Sequence, residues 1–80
     1  MDALQKGSID RLINLARAGY QCEIRENDDA ARCLEWNIYR EACDNLGPEW
    51  WARHEKNCIE SKADALDCWE MLLDTLEAIE

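Results

Sequence analysis

Between Trp51 and Ile79 the apolar residues return every three or four positions: Trp51, His54 and Cys58, then Ala65, Leu66, Trp69, Leu72, Leu73, Leu76 and Ile79. That rhythm fits the roughly 3.6-residue turn of an α-helix and not the two-residue alternation of a strand, so this stretch is committed to amphipathic helix. The stripe lapses only at Ser61 and Lys62. Ser61 with Asp64 resembles a capping box, so the segment is either one bent helix or two helices meeting there.

Two further helices precede it. Ser8 can cap a helix whose apolar positions Ile9, Leu12, Ile13, Leu15 and Ala16 keep the same spacing and which ends near Gly19. Tyr20 to Arg25 reads as an extended connector or a last helical turn. The polar run Glu26 to Asp29 then offers three N-cap residues, Asn27, Asp28 and Asp29, for a second helix. That helix carries Ala31, Leu34, Ile38, Ala42 and Leu46 on one side and Trp36, Tyr39 and Cys43 on an adjoining side, a broad arc suited to two neighbours. Gly47 stops it and Pro48 starts the next. Amphipathic helices can bury their stripes only against one another. The expected fold is all-α, a small three- or four-helix bundle with an antiparallel hairpin around Gly47-Pro48, residues 1–80 forming a single helical domain.

The charge is unevenly placed. Of the formal net charge of −9, residues 63–80 contribute six acids and no base, and Lys62 is the last cation. Asp64, Asp67, Glu70, Asp74, Glu77 and Glu80 follow one another at helical spacing along one flank. Like charges three or four apart repel by about 0.2–0.5 kcal/mol per pair, and acids in a last turn oppose the helix dipole, so the row weakens its own helix. Such a surface repels nucleic acid and anionic lipid and steers association toward a basic partner. No apolar run reaches the ~18–20 residues needed to cross a bilayer, and no basic start followed by an apolar run marks a cleaved secretory signal. The expected location is cytoplasmic, the host cytoplasm if the protein is viral.

Five cysteines fall at Cys22, Cys33, Cys43, Cys58 and Cys68. Nine residues separate Cys33 from Cys43 and nine separate Cys58 from Cys68, both pairs being centred on Trp50 and Trp51. This resembles the twin C-x9-C pattern of the coiled-coil-helix proteins of the mitochondrial intermembrane space. The resemblance covers residues 33–68. It implies a helical hairpin stapled by disulfides from Cys33 to Cys68 and from Cys43 to Cys58, import without a presequence, and a role in assembly or metal handling. Tyr39 stands where such proteins often carry an aromatic for docking their import oxidoreductase. Reduced, the same cysteines read as small buried hydrophobes.

Catalytic patterns are missing. The three glycines make no phosphate loop, and the chain has one histidine. His54 and Cys58, four apart, could join Cys43 and Cys68 around zinc, but no close cysteine pair supports this, and the acidic, apolar surroundings do not favour a reactive thiolate. No cofactor or metal is expected.

The reading that best accounts for these features is a small acidic, non-enzymatic binding protein. It would dock Asp64, Asp67, Glu70, Asp74, Glu77 and Glu80, with Trp50 or Trp51 as an aromatic anchor nearby, onto a protein with a basic surface. Carboxylates recurring at roughly 5 Å along a helix give a linear polyanion, which suits a modulator of a nucleic-acid-handling protein, the kind of nucleic-acid mimic that phages direct against host defence. Direct nucleic-acid or membrane contact is not expected. The alternative is the twin-cysteine hairpin, and the long stripe from Trp51 to Ile79 also allows a homodimer.

Overall fold

The computed structural model describes residues 3–79, with side chains from residue 7 onward. Among these residues the chain forms four helices and no strand: α1 (Ala3–Ile24), α2 (Asp28–Asn45), α3 (Pro48–Glu60) and α4 (Ala65–Ile79). The all-α bundle is thus of the four-helix kind, and the stripe from Trp51 to Ile79 is divided between two helices. None of the described helices is long and apolar enough to cross a membrane.

Local chemistry sets each boundary. α1 runs through Gly19 and stops at Glu26, whose φ of 60° is left-handed. Asn27 N–H bonds the Cys22 carbonyl at 2.9 Å and Glu26 N–H bonds the Glu23 carbonyl at 3.1 Å, a Schellman closure that satisfies two final carbonyls of the helix. Asn27 then turns from ending α1 to starting α2: its side chain accepts from Ala30 N–H at 3.4 Å, and Asp28 and Asp29 complement the positive end of the dipole. The Gly47-Pro48 turn forms as expected, Gly47 adopting a φ of 98°. Beyond α3, Lys62 repeats the left-handed cap at φ 53°, and Ala63 N–H reaches the Cys58 carbonyl at 3.0 Å. Ser61 is the last residue of α3's cap and takes no part in a capping box. The start of α4 is held by Asp64 alone, whose carboxylate accepts from Asp67 N–H at 2.8 Å.

α1 lies between α2 and α4 and packs against both, while α3 packs against α2 and less closely against α4. Ile9, Leu12, Ile13 and Ala16 of α1 meet Ile38 and Ala42 of α2, Trp51 of α3, and Trp69, Leu72 and Leu76 of α4 in one buried cluster. α1, about 33 Å long at ~1.5 Å per residue, accounts for most of the molecule's 36 Å long axis. Its Gly19 is a contact and not a stop: the six-membered ring of Trp69 lies where a β-carbon would be. The indole Nε1–H is then satisfied by the Glu23 carboxylate at 3.3 Å. Ion pairs from Arg11 to Glu41 at 2.7 Å and from Arg17 to Glu77 at 3.6 Å tie α1 to each neighbour at the surface.

This arrangement has no place for the Cys33–Cys68 bridge of the disulfide staple. No Cα of α2 comes within 8 Å of one in α4, whereas a disulfide needs about 4.4–6.8 Å, so Cys33 and Cys68 cannot be joined. All five cysteines are free thiols. The physical cause is the break between α3 and α4, which sends the C-terminal helix onto α1 and away from α2.

The packing gives two opposed expectations for substitutions in α1. Gly19→Ala forces a methyl into the indole and should cost about 1–3 kcal/mol, as overpacked cores do. Gly7→Ala, at an exposed position with nothing within 4 Å, should gain about 0.5–1 kcal/mol from helix propensity. Urea denaturation of the two variants beside the wild type checks both signs.

Candidate functional site

Because α2 and α4 do not meet, a trough stays open between them with α3 as its third wall. It encloses about 610 Å³. Each helix contributes a stripe of two turns. From α2 come Arg32, Glu35, Trp36 and Tyr39; from α3, Trp51, His54, Glu55, Cys58 and Ile59; from α4, Ala65, Cys68, Trp69 and Leu72. The repeated spacing of three, four and seven is what one helix face presents along its axis. Glu23 of α1 closes one side.

A chain of packed aromatic rings runs from the rim of the trough to its base. Trp36 and Tyr39 have ring centroids 5.7 Å apart, Tyr39 meets Trp51 edge-on at 5.6 Å, and Trp51 lies 5.1 Å from the His54 ring. Trp50, half-buried, also stacks on His54 with ring centroids 6.5 Å apart. These contacts lead from solvent to the interior: Trp36 is 59% exposed and Tyr39 39%, but Trp51 only 7%. Ile59 of α3, also on the trough lining, is 75% exposed. The rim carries three carboxylates, Glu23, Glu35 and Glu55, against the single guanidinium of Arg32.

His54 and Cys58 sit side by side at the base, Sγ lying 3.8 Å from Nε2 and 3.9 Å from Nδ1. Burial lowers the pKa of His54 below its ordinary 6.5, a shift only partly opposed by the nearby Glu55 carboxylate. Burial, with a contact from the Cys68 thiol, pushes the Cys58 thiol up to about 12. At neutral pH both are therefore uncharged, and the pair lacks the thiolate that nucleophilic chemistry needs. Among the described residues no group of three or more His, Cys, Asp or Glu side chains is arranged to hold a metal ion.

The acidic row is on α4 but faces elsewhere. Asp64, Asp67, Glu70, Asp74 and Glu77 are all exposed, while Glu80 lies outside the described residues. Asp74 and Asp67 are each two residues, about 200° of helix turn, from the groove residues Leu72 and Trp69, so they point to the opposite side. α1 relieves part of the row: Glu77 pairs with Arg17, and Glu70 accepts a hydrogen bond from the Tyr20 hydroxyl at 3.1 Å. That bond, more than the nearby charge, raises the Tyr20 pKa. Of the aromatic anchors expected from sequence, Trp51 is in the core and Trp50 is packed against it. The exposed tryptophan is Trp36. Trp36 and Ile59 share a legible signal, since each is a large apolar residue lying off the buried stripe of its own helix.

No protein-family model, curated protein or solved structure matches this chain.

Two measurements probe the base of the groove. With one histidine in the chain, ring NMR should give a His54 midpoint below 6.5, and stability held above about pH 6.5 should fall as the pH drops through that lowered midpoint. The raised Cys58 pKa acts in the other direction: its contribution is complete below about pH 8.5–9 and is lost as pH rises toward the folded value. Iodoacetamide labelling of the native protein, read by peptide mass, should begin at exposed Cys33 and reach Cys58 last, with all five thiols labelled after denaturation.

Proposed function

We propose that this chain is a non-enzymatic binding protein that holds apolar side chains of a positively charged protein in the groove between α2, α3 and α4, acting in the cytoplasm. The observation that carries this reading is the exposure of both Trp36 and Ile59 along the lining of one aromatic trough. Large apolar side chains kept in water along a cavity are a cost to the free molecule and a gain only when something covers them. Tryptophan is also the residue type most often found to carry binding energy at interfaces.

Charge selects the partner. The chain's net charge of −9 and the acid-rich rim of the groove favour a cationic surface and raise its encounter rate. The partner we propose is a nucleic-acid-handling protein, which this one modulates, in the manner of phage proteins that act on host defence. The exposed row Asp67, Glu70, Asp74 and Glu77 supports that form, because carboxylates spaced roughly 5 Å apart along a helix match the sign and linearity, though not the density, of a nucleic-acid backbone.

The groove and the row should separate kinetically. For a partner captured on the immobilised protein, Trp36→Ala with Ile59→Ser should speed dissociation by at least about tenfold. Changing Asp67, Glu70, Asp74 and Glu77 to Asn or Gln should instead slow association and flatten its dependence on salt. Surface plasmon resonance at two ionic strengths reads both, and a captured protein whose rates ignore both sets of changes would refute the proposal.

A further inference from the structure

Resting on that reading, we infer that the groove's occupant is an amphipathic helix of about two turns or more bearing lysine or arginine beside its apolar stripe. Three helices already line the trough, each with side chains at a spacing of three, four and seven, over a length of about 10 Å at ~1.5 Å per residue. Facing stripes of this kind form the ridges and grooves into which another helix packs. α2 and α4 are held apart by α1 and are bridged on this side only by α3, which packs less closely against α4 than against α2. The trough is thus the vacant position of a larger bundle.

Other modes of peptide recognition fit less well. A strand has nothing to pair with, because the described residues form no sheet edge. A small molecule would be enclosed for most of its surface, whereas the rim side chains Trp36 and Ile59 stay largely in water and need a broad cover. A second copy of the chain would bring another net charge of −9 against a rim that already carries three carboxylates. Glu35 and Glu55 form no ion pair among the described residues, so both are free to meet cations flanking an incoming apolar stripe.

The test is a selection from a random library of about 16-residue peptides on the full chain, long enough for a helix of several turns. Peptides that also bind the Trp36→Ala, Ile59→Ser variant are removed. Both substituted positions are exposed, and a circular dichroism melt confirms that the variant is folded. The expected survivors carry apolar residues at spacings of three, four and seven with an excess of Lys and Arg. A synthetic representative should gain helical signal on binding and bind the variant at least about tenfold more weakly. Groove-dependent cationic survivors that stay extended or are proline-rich would overturn the helix and leave the proposed function standing. Acidic survivors, or no groove-dependent survivor at all, would overturn both. A dimer in light scattering that the variant dissolves would assign the groove to a second copy and end the inference.

Discussion

The contact of Trp69 with Gly19 governs the placement of the C-terminal half of the molecule. An indole can lie directly on a helix backbone only where no β-carbon intervenes, and α1 offers that at Gly19. Glu23, one turn on, accepts the indole N–H, so the largest side chain of α4 is both packed and satisfied by α1. Leu72 and Leu76 follow onto the same cluster. α4 is thereby fixed on the opposite side of α1 from α2, and the trough results from that separation. A larger residue at position 19 would act on the groove as well as on stability.

Much of this architecture is legible in the residues. The apolar spacing identifies helices, Gly47-Pro48 turns the chain, and the lapse at Ser61-Lys62 marks a place where it can break. Position 19 is where the local signal misleads, since glycine ends a helix and also permits a close approach, and only the arrival of Trp69 from fifty residues away decides between them. The true stops are a glutamate and a lysine in left-handed conformation, Glu26 and Lys62. Neither residue type announces that role. Each is held by paired hydrogen bonds back to the preceding helix, which offset the modest cost of left-handed φ.

The cysteine pattern shows the same limit from another side. Equal spacing about a common midpoint describes a staple only if the two arms are continuous and antiparallel. Once α3 ends at Glu60, the register is lost, Cys58 becomes a neighbour of Cys68, and Cys33 is left in solvent. Symmetry of spacing along a chain carries distance information only while the secondary structure is unbroken. The site residues follow this rule too: Trp50 and Trp51 draw notice as a pair, yet their helix turns both toward packed surroundings, while Trp36 faces the side where α2 has no opposing helix.

The negative charge also opposes the covering of the groove by a second copy of the chain. An aromatic trough with Trp36 and Ile59 in water would favour self-association in a neutral protein. Here each molecule carries the same strong charge, and the outer side of α4 keeps Asp67 and Asp74 without a cationic partner among the described residues. Repulsion between copies acts over a screening length of about 8 Å at physiological salt, further than apolar contact forces reach. It therefore opposes the encounter of two copies before their grooves can touch. Under the proposed function the same field would attract a cationic chain, so one distribution of carboxylates would discourage a second copy and recruit the proposed partner.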